Sequence, residues 1–311
     1  MQPALSLARA LAIVLLPLAI LAADDLLWHL PDREEVGPRL ADVQLSPVRM
    51  DAGKFEPLRL VGAWRVEVDD PRFGGVSGLA VAGETLIALT DVGVLVRLPK
   101  PGSAEPAALV DELPAGPRSG RLNRNRDSEV LLRDPLGRGW WVAFEQRDEL
   151  WLYDHRFERP LKRIRLLGSG WGIRFGVEAM IGDGAGLLLV PERGRSTLRV
   201  ERGRAERQPI GGELGLVSEA VRLADGRILL VERRPTATGF VNSLVELERG
   251  KFGYRAGARI RLPVSPHDNI EAVAVEARES GATRLWLMTD DNYQRPFRTL
   301  LVALDLPVRS E

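Results

Sequence analysis

Acidic residues recur beside short apolar runs along this chain, and they are where chemistry could be done. Glu129, Glu178, Glu219 and Glu271 open the runs "EVLL", "EAMI", "EAVR" and "EAVAV", and Gly78 holds the same place in "GLAV". Asp91, Glu145, Glu192, Glu232 and Asp290 close the apolar run that comes next in each case. Carboxylates at the mouths of buried strands need partners, and carboxylates close together raise one another's pKa or take up cations. Some cations are built in: Arg147, Arg193 and Arg233 lie one or two residues after acids of the second set, Arg124 and Arg126 precede Glu129, and Arg298 follows Asp290. Two outcomes stay open. The groups form a self-satisfied network pinning one repeat to the next, or they hold a divalent cation and an anionic substrate together. Oxygen-only donors in a chain without cysteine favour calcium, or magnesium, over zinc or copper. The candidate metal ligands are Glu129, Glu178, Glu219, Glu271 and Asp290, and no organic cofactor is expected.

Other residue types add less. His267, just before Asp268, is a candidate general base or phosphate contact, with a plain loop role as the alternative. His29 and His155 have no metal-type spacing with it. Trp171 in "GSGWGIRFG" could stack on a ligand ring or wedge two repeats, whereas Trp140, Trp141, Trp151 and Trp286 sit in strand-like runs and read as packing residues. "GGVSGL" lacks the Gly-x-Ser-x-Gly spacing of a nucleophile elbow. "GDGAG" lacks the Lys, the Ser/Thr and the following helix of a phosphate loop, so it reads as a hairpin turn.

The elements that must position these acids repeat. Segments starting at Gly78, Glu129, Glu178, Glu219 and Glu271 are 51, 49, 41 and 52 residues apart, a period that calls for a repeat architecture. Each reads strand, hairpin, strand, loop, strand, with fourth strands at "PAALVDEL", "PLKRIRLLG", "AERQPIG" and "ARIRLPV". The last repeat has no fourth strand of its own. "LRLVGAWRVEV" (58–68) can supply it by pairing with "TLLVALDL" near the C-terminus. The expected fold is all-β: a β-propeller of five or six four-stranded blades closed by pairing of N- and C-terminal strands. The sixth blade would come from "ADVQLSPVRM" with 58–68. A β-sandwich is the competitor, but it requires no fifty-residue period. In a propeller the start of each first strand and the end of each second strand emerge on one face, which places nine carboxylates around one channel mouth.

Residues 1–23 read as a signal peptide or an uncleaved N-terminal anchor, with Arg9 before the apolar run 10–22 and Asp24 and Asp25 after it. Residues 24–56 are a polar lead-in and 57–307 the propeller domain. The protein is therefore expected to be exported, periplasmic or secreted, or held at the inner membrane by that segment alone. With 43 basic and 43 acidic residues there is no excess charge for a nucleic-acid backbone. The expected partner is a small anionic or ester substrate, and the expected state a monomer. Lysines number only four, Lys54, Lys100, Lys162 and Lys251, so nearly every cation is an arginine. Arginine suits bidentate carboxylate and phosphate recognition, and a GC-rich genome gives the same bias.

The run "FGGVSGLAV", the "RDSEV" and "FGVEAM" boxes and the C-terminal "DNIEAVAV…LWLMTDDN…RTLLVALDL" together resemble the bacterial phytase-like domain family, labelled esterase-like activity of phytase. The resemblance covers about residues 73–306. It implies a propeller with phosphoester or carboxyl-ester hydrolysis, in which channel-mouth acids hold calcium that polarises phosphate and activates water. Carried over by position, Glu129, Glu178, Glu219 and Glu271 are candidate metal or base carboxylates, Glu129 and Glu271 with His267 being the catalytic candidates. Arg126 and Arg298 become candidate anion clamps, with Trp171 as a third substrate contact. This chain departs from the pattern in having no acid-dense stretch and in crowding its loops with basic residues, which puts phytate itself in doubt. The open alternative is a non-catalytic propeller that binds a ligand or protein and uses the acid and arginine ring structurally.

Overall fold

The computed structural model describes residues 36–50, 56–104, 107–118, 126–166, 176–237, 239–293 and 297–308. The leader, Arg124 and Trp171 lie outside the described residues. Two strands come first, β1 (Arg39–Pro47) and β2 (Arg59–Val68). Four antiparallel meanders follow. Blade one is β3 (Val76–Ala82), β4 (Thr85–Thr90), β5 (Val94–Pro99) and β6 (Ala107–Glu112); blade two is β7 (Ser128–Arg133), β8 (Trp140–Phe144), β9 (Glu149–Tyr153) and β10 (Pro160–Arg165). Blade three is β11 (Val177–Asp183), β12 (Gly186–Pro191), β13 (Ser196–Glu201) and β14 (Arg204–Gly211); blade four is β15 (Leu216–Arg222), β16 (Ile228–Thr236), β17 (Gly239–Gly250) and β18 (Gly253–Arg261). The last blade contributes β19 (Asn269–Ala277), β20 (Thr283–Asp290) and β21 (Leu300–Leu306), and β2 completes it as the fourth strand.

The chain is thus an all-β propeller. Its inner strands β3, β7, β11, β15 and β19 contact one another in turn, and β19 returns to β3. The second strands read as unbroken apolar runs because each sheet is buried on both faces. Along β12, Leu187 and Leu189 pack toward blade two while Leu188 and Val190 pack toward blade four. Among the described residues the core is accordingly divided into five clusters, one in each gap between neighbouring sheets. Trp140, Trp141 and Trp286 are buried in these gaps.

The ring closes as the unpaired last repeat demanded. β2 pairs with β21 in antiparallel register, Arg59 opposite Asp305 and Ala63 opposite Val302. Asp305 also lies opposite Arg284 of β20. It accepts hydrogen bonds from Arg59 at 3.0 Å and from Arg284 Nε at 2.5 Å, tying three adjacent strands through one carboxylate. β1, in the stretch expected to be a polar lead-in, is a strand between β2 and β6, so it joins the last and first blades. Blades three and four are joined at their outer edges by a short parallel pairing of β14 with β18.

Candidate functional site

Every inner strand carries one extra residue near its start. The ladder between first and second strands skips Ser77, Glu129, Glu178, Ser218 and Glu271 in the five blades. A bulge of this kind bends the strand and re-aims the extra side chain, and here the bulged positions lie at one mouth of the channel. One residue past the partner of the residue before each bulge, the second strands present Asp91, Glu145, Glu192, Arg233 and Asp290.

This register corrects the expected ring of acids at one point. In blade four Glu232 faces the other way: it is fully buried and accepts hydrogen bonds from Gly215 N–H at 2.7 Å, Arg234 at 3.0 Å and Arg259 at 2.5 Å. Although burial opposes ionisation there, those donors hold its pKa below the ordinary glutamate value. Arg233 takes the rim position. The guanidinium pairs closely with Glu271, donates to Asn269 Oδ1 at 2.9 Å, lies 3.7 Å from Glu192 and stacks over Phe240 at 5.7 Å. Asn269 in turn donates to Glu271 at 2.5 Å. Glu219, one residue beyond the bulge at Ser218, is 2% exposed; its Oε1 accepts the Ala220 N–H, and among the described residues its Oε2 has no hydrogen-bond partner.

Repulsion in this ring is large. Glu129 is pushed well above the usual glutamate range, first by burial and then by the charges of Glu178, Asp127, Glu145 and Asp91. Burial followed by Glu145 and Glu271 does the same to Glu178, and burial followed by Asp91 and Glu271 to Asp290. Glu219 and Glu271 are raised as well, burial leading in both, with Arg233 pulling Glu271 back. By surface area Glu129, Glu178, Glu271 and Asp290 are only half-buried, since they line the channel. Protein encloses them on the remaining sides, and that depth governs their titration.

Within the ring, Asp127, Glu129 and Glu145 form the tightest group, one carboxylate oxygen from each lying within 4.8 Å of the others. Asp127, in the "RDSEV" box, was not expected; it is 4% exposed, its pKa is raised by burial and by Glu145 and Asp91, and among the described residues its Oδ2 has no hydrogen-bond partner. Its position two residues before Glu129, at the end of the connection into β7, is the signal that could have found it. Glu145 is held over blade three by Gly176, whose N–H donates to Oε1 at 3.3 Å. A Cβ at Gly176 would stand 1.7 Å from Glu145 Cγ. Gly176→Ala is therefore expected to lower stability by about 1–3 kcal/mol, measured by denaturant unfolding, while expelling Glu145 from the group; an unchanged midpoint would contradict this packing.

At this mouth, serine hydroxyls link neighbouring blades. Ser77 donates to Ser128 O at 2.5 Å, Ser128 to Thr90 O at 2.7 Å and Ser218 to Ile270 O at 2.8 Å. At the seam of the ring, Asp291 accepts the Gly75 N–H at 3.1 Å, which docks "TDDN" on "FGGV". Gly75 has φ +54, and a Cβ there would meet the Tyr293 ring at 2.4 Å and Asp91 at 2.6 Å, so only glycine fits.

The remaining candidates lie off the ring. Arg126 is buried against Gly93 and Gly116 and lines a cleft with Glu112 and Leu113. Arg298 faces Asp268 at 3.4 Å and borders a cleft of about 370 Å³ with Phe297 and Thr299. His267 is exposed on the loop before β19, its backbone N–H on Ser265 Oγ, and its ring makes no contact with the carboxylates among the described residues. A larger cavity, about 580 Å³, opens at the opposite end of the inner strands. Among the described residues its one carboxylate, Asp183, is already tied to Arg199 and Arg222.

Comparison with known proteins agrees with this architecture. The glutaminyl cyclase of Myxococcus xanthus superposes with a TM-score of 0.53 at 16% identity, over 81% of this chain and 97% of that one. A chain of a nidogen/laminin complex (TM-score 0.44, 12% identity, 83% and 91% covered) and the WD40 domain of Neurospora crassa Pan2 (0.41, 8%, 76% and 91%) are more distant. At these identities the likeness concerns the fold alone. No curated protein sequence matches the chain. The family model described as phytase-like, esterase-like activity of phytase, matches residues 71–293, from the seam glycines through every bulged inner strand to the loop after β20, and the chain belongs to that family.

Proposed function

We propose that the protein is an exported, cation-dependent ester hydrolase with a preference for phosphoesters, working at the carboxylate mouth. The observation that carries this reading is the Asp127, Glu129 and Glu145 group: three hard oxygen donors within 4.8 Å, one of them with an orphaned buried oxygen. Such a set fits calcium or magnesium. Asp127, Glu129 and Glu145 would hold the ion. When bound, it supplies Lewis acidity toward an ester oxygen and lowers the pKa of water.

The chain's own groups do the rest. Glu178, adjacent in the ring, is the neighbouring carboxylate to accept a proton from attacking water, since burial and the charges of Glu145 and Glu271 raise its proton affinity. Arg233 is the ring's own cation, and with Asn269 it fixes Glu271 while offsetting negative charge on the substrate. Export suits this chemistry, because calcium is more available outside the cytosol. The test is hydrolysis of p-nitrophenyl phosphate and p-nitrophenyl acetate by the purified protein with calcium, magnesium or chelator. Cation-dependent release from the phosphate ester supports the reading. Cation-induced stabilisation with no hydrolysis of either ester would instead favour a binding propeller.

A further inference from the structure

We propose that blade two carries a separate oxyanion site, an arginine cleft on the mouth face that takes the phosphate or sulfate end group of a larger molecule. The cleft, about 410 Å³, is lined among the described residues by Arg118, Arg147, Arg163 and Arg165, with Asp148 and Glu149 as the acids. Glu149 is overcommitted: one oxygen lies 3.4 Å from Arg165 Nε and 3.9 Å from Arg163 Nε, and the other accepts the Trp151 indole N–H at 2.9 Å. Asp148, the other acid of the lining, is 8% exposed. Four arginines and two acids therefore line the cleft.

The cleft is also held in shape. Arg163 stacks over the Trp151 ring at 5.7 Å, which orients its planar fork. Arg118 has φ +53, a left-handed conformation that costs a non-glycine residue free energy and gathers at binding sites. The four arginines come from three segments of the chain, the β6–β7 connection, the turn after β8 and the strand β10, so their forks can converge on one tetrahedral anion. That turn, Glu145–Arg147, starts with a member of the acidic group and ends with a member of the cleft. The positive cleft and the negative ring are thus neighbours, and the cleft needs neither a metal nor a reaction at the ring.

The test uses the full chain with chelator present, so that phosphate bridged by a cation at the ring is not counted. Calorimetric titration with inorganic phosphate and with sulfate is expected to show binding that weakens as salt rises. Arg118→Ala and Arg165→Ala, both at exposed side chains, should each weaken it about tenfold with unchanged melting, and Glu149→Gln should tighten it. Flotation with phosphatidylcholine vesicles, with and without phosphatidate, separates the sources of the anion. Retention by phosphatidate vesicles alone assigns a lipid headgroup, and binding of free phosphate without retention assigns a soluble ligand. Absence of both, or phosphate binding unaffected by either arginine variant, overturns the proposal.

Discussion

Glu129→Gln is expected to lower ester turnover by about 10³-fold, to remove cation-induced stabilisation, and yet to leave the cation-free protein more stable at neutral pH. The first effect follows from its place in the Asp127, Glu129 and Glu145 group, where an amide cannot replace an anionic oxygen donor. The third follows from the same crowding seen from the other side. Glu129 is buried among Glu178, Asp127, Glu145 and Asp91, and removing its charge relieves desolvation and four repulsions at once. A purely structural glutamate behaves oppositely, since losing its partners destabilises the fold. Turnover, calcium titration and urea unfolding on one preparation separate the two. A variant that is less stable without cation and still hydrolyses at the parental rate would remove Glu129 from the site.

Asp305→Ala should cost about 3 kcal/mol, because it breaks a nearly buried pair and strands Arg284. Asp305 and Arg284 have side chains each 12% exposed, whereas the Arg59 side chain is 79% exposed. Arg59→Ala is accordingly expected to cost less than about 1 kcal/mol. The location amplifies the difference in consequence. This carboxylate ties β2, β21 and β20, the strands through which the N-terminal part of the chain closes the ring. Denaturant unfolding of both variants checks the ranking, and equal losses would mean that pairing at the seam is carried by the backbone ladder alone.

How far the sequence could be read depended on which interaction set each feature. The blades were legible, since sheets buried on both faces leave runs such as "GLLLVP" and "LWLMT" at regular intervals. Closure was legible too, because "TLLVALDL" had no fourth strand and "LRLVGAWRVEV" had no blade. The bulges were not. Each adds one residue to a ladder, and a bulge is a property of pairing that no single strand displays. In blade four the bulge falls on Ser218, which moves Glu232 away from the mouth and brings Arg233 to it. Reading the first acid after an apolar run picked the wrong neighbour there, while the same rule found Asp91, Glu145, Glu192 and Asp290. Asp127 escaped for a related reason: "RDSEV" was read at its glutamate, and the approach of Asp127 to Glu145 requires the β7–β8 pairing. Arg126 and Arg298 had the right charge in the right segments, but their side chains settled against Gly116 and Asp268.

The raised ring carboxyls also fix the sign of the pH dependence. A glutamate whose folded pKa lies above its unfolded value binds more protons in the folded state, so its contribution is present below the unfolded pKa and is lost as pH rises through the folded one. With chelator present, stability should therefore fall from about pH 4.5 toward neutrality, as Glu129, Glu178, Glu219 and Asp290 are forced to ionise together. Glu232 and Asp305, held down by arginines, act in the other sense at lower pH and do not cancel this. A divalent cation reverses the loss by binding the ionised form. The most direct measurement is thermal melting near neutral pH in chelator, then in calcium or magnesium. At a free cation concentration about a hundredfold above Kd the melting temperature should rise by about 5–10 °C. No rise with either ion would contradict the carboxylate mouth as a cation site.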